Sequence, residues 1–142
     1  MNGTGGVPAN AVLGIDGFTD AVEIGRGGFG VVYRAHQPAH GRDVAIKVLT
    51  SSRDAAATGR FERERQVLGA LSGHPAIVGV IDSGYTVSGQ AYVVMELMAG
   101  GSLGERVATT GPLLWPQAVE IGIGIAGGLE VAHRMGVLHR DV

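Results

Sequence analysis

Five short segments rich in β-branched and aromatic residues recur along the first two thirds of the chain. Turn-forming glycines separate them, as at Gly41, Gly84 and Gly89. Segments of this length and composition are typical of β-strands. The pattern therefore predicts five strands, at residues 18–24, 31–36, 43–49, 77–83 and 91–95.

The remaining hydrophobic pattern has a helical period. One window, residues 59–71, lies between the third and fourth predicted strands. Ser102 and Glu105 fit a capping box, which predicts the start of a short helix. Pro116 suits the first turn of a longer helix that runs to about Met135 and ends at Gly136. Five strands with one inserted helix, followed only by helices, indicate an α+β fold.

The longer helix contains four glycines, at positions 122, 124, 127 and 128. Each costs a helix interior roughly 1 kcal/mol relative to alanine. We interpret them as sites of close packing against a neighbouring element.

Composition narrows the class of protein. The 142 residues carry a net charge of −2, are 45% hydrophobic and include no cysteine. The near-neutral charge gives no electrostatic footprint for nucleic acid, and the lack of cysteine excludes disulfides and thiolate metal sites. Residues 121–129 are too short and too rich in glycine for a membrane span, and no signal peptide is evident. We therefore expect a cytoplasmic domain preceded by a flexible leader at residues 1–14.

Two motifs carry candidate chemistry. Gly25-Arg26-Gly27-Gly28-Phe29-Gly30-Val31-Val32 fits the pattern G-x-G-x-x-G-x-V. Dinucleotide-binding folds use a similar glycine pattern, but there it opens a helix, whereas Val31-Val32-Tyr33 predicts a strand here. The second motif is Val44-Ala45-Ile46-Lys47, which ends on the only lysine beside ten arginines. An ammonium is a compact charge that fits between phosphate oxygens better than a planar guanidinium does.

These motifs, followed by His139-Arg140-Asp141, resemble the signature set of the protein kinase family. His74-Pro75 and Ala132-His133 make the chain most similar to the bacterial Ser/Thr type. The resemblance implies a kinase small lobe at residues 15–97, with a five-stranded antiparallel sheet and one helix. Residues 98–142 would be the hinge and the first helices of the large lobe. Because the family's D-F-G and A-P-E motifs follow the catalytic loop, the chain looks like an N-terminal fragment.

By resemblance, Lys47 holds the α- and β-phosphates of ATP and pairs with a glutamate on the inserted helix. The candidates are Glu62 and Glu64. At about 100° per residue, Glu64 falls among Phe61, Val67, Leu68 and Leu71, and Glu62 falls outside that arc. A carboxylate within an apolar face needs a cation partner, so the helical geometry selects Glu64.

The other roles also come from the resemblance. Asp141 would accept the proton of the substrate hydroxyl, and Mg²⁺ would be held by residues beyond the end of this chain. The hinge backbone at Glu96 and Met98 would bind the adenine edge, and Met95 would border the back pocket. The expected nucleotide-contacting residues are Ile24, Gly25, Arg26, Gly27, Gly28, Phe29, Gly30, Val31, Val32, Ala45, Lys47, Met95, Glu96 and Met98.

The resemblance implies an ATP-dependent Ser/Thr protein kinase that acts on a protein substrate, although the chain by itself is expected to be inactive. Two alternatives remain open. One is a pseudokinase, or a fragment that binds a nucleotide or a partner without catalysis. The other is a small-molecule phosphotransferase of related fold, against which the regular glycine loop argues.

Overall fold

The computed structural model describes residues 13–28, 30–50, 66 and 69–139. This part of the chain contains five strands, a 3₁₀ turn at Pro38–His40 and two helices that are described from end to end. The strands are β1 (Thr19–Gly27), β2 (Gly30–Gln37), β3 (Arg42–Leu49), β4 (Val80–Tyr85) and β5 (Ala91–Glu96). The helices are α1 (Leu103–Thr110) and α2 (Trp115–Arg134).

The strands form one antiparallel sheet in the order β1-β2-β3-β5-β4. β2 and β3 pair without interruption from Gly30 opposite Leu49 to Gln37 opposite Arg42. β1 and β4 each contain register shifts, and these two strands lie at the edges of the sheet. The predicted five-stranded antiparallel sheet followed by helices is confirmed.

Period-two alternation along β3 sets the position of the core. Val44, Ile46 and Val48 are buried on one face of the sheet, beside Ala35 of β2 and Val94 of β5. Successive side chains of a strand point to opposite faces. Residues 45, 47 and 49 of β3 therefore lie on the other face.

The segment before β1 covers the core face. Leu13, Ile15 and Phe18 are buried in the same cluster, and the Val87 N–H donates to the Gly14 carbonyl at 3.1 Å. The predicted leader included residues 13 and 14, so its boundary was placed too late. The cause is physical: apolar side chains flanked by glycine and aspartate are stabilised by contact with a sheet that is distant in sequence. Residues 1–12 lie outside the described part of the chain.

The fourth strand was also predicted too early. Residues 75 and 76 form a turn, in which the Ile77 N–H donates to the His74 carbonyl at 3.0 Å. The His74 ring nitrogen Nδ1 accepts from the Ala76 N–H at 3.1 Å. Because of these local bonds, β4 begins at Val80.

Both helices begin as the sequence predicts. In α1, Ser102 and Glu105 form the reciprocal capping box. In α2, Pro116 occupies the first turn, and the turn after the helix ends at Gly136 with φ 79°. Of the predicted helix at residues 59–71, Gln66 and residues 69–71 are helical, and the others lie outside the described residues.

Close packing of the α2 glycines occurs at Gly128. A Cβ there would lie 3.2 Å from the Ala76 carbonyl oxygen and 3.4 Å from Ile77 Cγ1. Within the described residues, no atom outside the helix's own backbone lies within 4 Å of a Cβ built at Gly122 or Gly124. The close packing expected for these two glycines stays a prediction. Among the described helices, none is long and apolar enough to cross a membrane.

Candidate active site

One transverse row of residues brings the glycine motif and the lysine together. Gly25 pairs with Val32, Val32 with Lys47, and Lys47 with Val93, across four adjacent strands. Adjacent strands lie about 4.8 Å apart, so Gly25 and Lys47 are about 10 Å apart. Lys47 is half-buried and lies on the face opposite the core. The row places an ammonium beside the backbone of the glycine loop.

A second row lies two residues toward the start of β3. Ala45 pairs with Met95, and Met95 pairs with Val80. Two residues of strand span about 7 Å, and Ala45 shares its face with Lys47. Arg34 of β2 also pairs with Ala45 and is exposed on this face. A ligand here would therefore meet Ala45 and Met95 beside the Arg34 guanidinium at one end, and the Lys47 ammonium at the other.

The glycine loop is the turn of a hairpin. Gly27 of β1 pairs with Gly30 of β2, and the chain continues as a strand on both sides. This arrangement confirms the predicted strand and excludes the strand-to-helix turn of dinucleotide-binding folds. Gly30 has φ 154°, and a Cβ there would collide with the Val48 carbonyl oxygen. Position 30 therefore requires glycine, because the hairpin lies directly against the β3 backbone.

Arg26 lies on the opposite face from Lys47. It pairs with Val31, which is buried beside Val48. Its guanidinium binds the Glu23 carboxylate through Nε at 3.0 Å and Nη2 at 2.7 Å. This hydrogen-bonded pair lowers the pKa of Glu23 and raises that of Arg26. The side chains of Arg26 and Val31 therefore face away from the expected nucleotide, which leaves their backbone for the predicted contact.

Thr50 directly follows β3 and contacts the glycine loop, although no sequence motif includes it. Its hydroxyl donates to the Gly28 carbonyl oxygen at 3.3 Å, so the end of the lysine strand bonds the glycine loop. No spacing rule in the sequence marks such a contact, because the two residues are 22 positions apart.

The hinge segment follows β5. The Glu96 N–H donates to the Gly79 carbonyl at 3.0 Å, which fixes the start of the hinge against the turn before β4. Met98 is 59% exposed and Ile24, at the bulge of β1, is 52% exposed. Both are open to solvent at the margins of the described sheet.

Three residues of the predicted site, Phe29, Glu64 and Asp141, lie outside the described residues. Glu62, the alternative to Glu64, lies outside them as well. The pairing of Lys47 with Glu64 and the role of Asp141 therefore stay predictions.

Known proteins resemble this chain in sequence and in fold. The model of the protein kinase domain matches residues 18–142. The chain belongs to the protein kinase family. It is 49% identical over 126 residues to the serine/threonine-protein kinase PknK of Mycobacterium tuberculosis (strain ATCC 25618 / H37Rv). It is 41% identical over 124 residues to a probable serine/threonine-protein kinase, SCO3848, of Streptomyces coelicolor. These relatives place it among the bacterial Ser/Thr kinases.

Solved kinase structures share the fold. The crystal structure of the M. tuberculosis PknI kinase domain superposes with a TM-score of 0.74 at 32% identity. That match covers 91% of this chain and 53% of the PknI chain. The PknK match covers 89% of this chain but 11% of PknK, and the SCO3848 match covers 84% and 18%. The chain thus spans a small part of the curated relatives and about half of a solved kinase domain.

Proposed function

We propose that the chain supplies the nucleotide-binding part of an ATP-dependent protein kinase of the Ser/Thr type. The reaction would transfer the γ-phosphoryl group of ATP to a hydroxyl of a protein substrate. The observation that carries the proposal is the row from Gly25 through Val32 to Lys47. It sets the Val32 side chain and the Lys47 ammonium on one face of the sheet, at the end where the glycine hairpin turns.

The purine would lie at the second row. Val32 and Ala45 would contact its faces, Met95 would border its inner edge, and Ile24 would close the open side. The Glu96 N–H is already bonded to Gly79. The adenine edge would therefore meet the Glu96 carbonyl and the backbone of Met98.

The phosphates would lie beneath the glycine hairpin. The backbone N–H groups of residues 25–30 would cradle them, and Lys47 would bind the α- and β-phosphates. Gly30 keeps the hairpin seated against β3, because a side chain there would collide with the Val48 carbonyl. Glu64 would orient the Lys47 ammonium, and Asp141 would accept the proton of the substrate hydroxyl.

Mg²⁺, when bound with ATP, would neutralise charge on the phosphates. Among the described residues, no group of three His, Cys, Asp or Glu side chains is placed to hold a metal. The family's metal ligands belong to motifs that the 142 residues do not contain. We therefore assign no magnesium ligand to this chain. A cytoplasmic location is proposed too, since ATP is the expected substrate and the chain has no cysteine.

Titrating the ¹⁵N-labelled chain with ATP tests the proposal. Amide shifts should change at Gly25, Val32 and Lys47, and Lys47→Met should weaken binding at least tenfold. Arg42→Met is the matched control, because it removes a positive charge from the other end of β3, where Arg42 bonds Gln37. Unchanged shifts throughout this face at millimolar ATP, or equal loss of binding in both variants, would overturn the assignment.

A further inference from the structure

Thr50 connects the two elements that we propose to bind phosphate, which are the glycine loop and β3. It follows β3 directly, three residues after Lys47, and its side chain reaches back to the glycine loop. The hydroxyl donates to the Gly28 carbonyl at 3.3 Å, which is long for an O–H···O bond. The site is exposed, so the bond is a modest one that can break and re-form.

The hydrogen bond to the Gly28 carbonyl restricts the orientation of a loop peptide group. In a planar trans peptide the C=O and the N–H point in opposite directions. Fixing the carbonyl toward the end of β3 therefore fixes the whole peptide unit at the top of the hairpin. Glycine at position 28 leaves that unit otherwise free to rotate, because no side chain restricts it.

A second contact joins the same two elements. Gly30 lies against the β3 backbone so closely that a Cβ would be 3.1 Å from the Val48 carbonyl carbon and 3.2 Å from Leu49 Cα. The hairpin is thus seated on β3 by packing at Gly30. The Thr50 bond adds a polar contact two residues earlier, nearer the tip.

We propose that Thr50 is a positioning residue whose hydroxyl latches the glycine loop to the strand that carries Lys47. The latch holds the loop backbone and the ammonium at a fixed separation, so that both meet the phosphates of one nucleotide. This inference rests on the proposed function for its effect on catalysis. The latch itself is a property of the loop without nucleotide.

The first test measures the loop in the 142-residue chain without nucleotide. Backbone order parameters of Gly27 and Gly28 should fall in Thr50→Val, from near the rigid value of about 0.85 toward the flexible range below about 0.6, whereas Gly30 should change less because it packs directly on β3. Thr50→Ser keeps the hydroxyl and should restore them. Thr109→Val is the matched control, because Thr109 donates to backbone carbonyls of Glu105 and Arg106 within α1.

The second test uses a protein in which these residues are part of a whole kinase domain. Loss of one modest hydrogen bond should raise KM for ATP about 2- to 10-fold in Thr50→Val, with a smaller change in kcat. Thr50→Ser should return KM to within twofold of wild type, and Thr109→Val should leave it unchanged. If Thr50→Val melts at a lower temperature, Thr50→Ala provides the same loss of the hydroxyl.

The outcomes separate the two proposals. Unchanged order parameters in both Thr50→Val and Thr50→Ala would overturn the latch, whatever the enzyme does. Lower order parameters with an unchanged KM for ATP would overturn its positioning role. An inactive wild-type kinase domain that binds no ATP would overturn the proposed function, while the order parameters would still decide whether the latch exists.

Discussion

At the scale of the residue, the position of the Lys47 side chain is set by the strands on either side of it. Its strand neighbours are Val32 and Val93, and its chain neighbours Ile46 and Val48 are buried on the opposite face. The ammonium is therefore held by a rigid strand, yet it lies outside the core. A compact charge in this position suits phosphate oxygens, whereas guanidinium prefers a planar partner.

In a whole kinase domain, we expect Lys47→Met to abolish phosphoryl transfer with little change in melting temperature. The physical reason is that Lys47 lies outside the core and, in the proposed function, would bind phosphate. Transfer to a protein substrate and thermal unfolding would be measured on the same samples, with Arg42→Met as the control. Activity within tenfold of wild type would remove Lys47 from the mechanism.

Glu62 and Glu64 occupy different faces of the predicted helix, so they should differ in their effect on phosphoryl transfer. Glu64→Gln should lower transfer substantially, because the amide no longer pairs with the Lys47 ammonium. Glu62→Gln should do little, since that residue falls outside the apolar arc. Steady-state kinetics of both variants decide the assignment, and the reverse ranking would show that Glu62 is the partner.

At the scale of the element, the first turn of α1 depends on a charged capping box. The Ser102 N–H donates to the Glu105 carboxylate at 2.6 Å, and the Glu105 N–H donates to the Ser102 hydroxyl at 3.1 Å. The backbone bond from Ser102 lowers the pKa of Glu105 below its ordinary 4.5. The carboxylate form is therefore favoured in the folded helix.

This lowered pKa predicts the direction of a pH effect. Because the folded pKa lies below the unfolded value, the stabilisation is complete above about pH 4.5 and is lost as the pH falls through the folded pKa. An NMR titration of the Ser102 amide shift should show its midpoint below pH 4.5. In Glu105→Gln that step should disappear. A midpoint above 4.5 in the wild type would contradict the capping assignment.

The glycines of α2 predict opposite effects of one substitution. Gly124→Ala should raise the free energy of unfolding by about 1 kcal/mol, because the helix interior gains a better helix former in open space. Gly128→Ala should give no such gain, since its Cβ would be 3.2 Å from the Ala76 carbonyl oxygen. Urea unfolding of the 142-residue chain measures both. Equal stabilisation by the two variants would show that Gly128 is not closely packed.

At the scale of the whole molecule, the sheet and α2 differ in how completely they are buried. Val44, Ile46 and Val94 of the sheet are fully buried. Along α2, Trp115 is 78% exposed and Ile123 is 68% exposed. Among the described residues, the core cluster therefore lies on one face of the sheet and includes no residue of α1 or α2.

We expect the 142-residue chain alone to transfer no phosphoryl group at ordinary kinase rates. The reason is electrostatic: the triphosphate would meet Lys47 and the loop backbone without the family's magnesium ligands. A radiolabelled ATP assay with a Ser/Thr peptide measures this directly, with a complete bacterial Ser/Thr kinase domain as the positive control. Transfer by the purified chain alone would show that the missing motifs are dispensable.

Strand positions were predictable because β-strand patterns are local. Val44, Ile46 and Val48 recur at every second position of the third segment and are buried on one face of the sheet. The glycine motif between two β-forming segments identified the hairpin. Three motifs in order were sufficient to indicate the family. They are the glycine motif, the segment that ends at Lys47, and His139-Arg140-Asp141. The assignment of Glu64 and Asp141 also came from sequence, and it stays a prediction.

Which face each side chain occupies was decided by the tertiary structure. The segment around Leu13 belongs to the core because it packs on strands that follow it in the chain. Arg26 lies on the face opposite Lys47 because it pairs with Val31, which pairs in turn with Val48 on the core face. The bond from Thr50 to Gly28 arises because two antiparallel strands bring their ends together. Pattern and composition determine which elements form, but contacts between distant residues depend on register and packing, which no local pattern encodes.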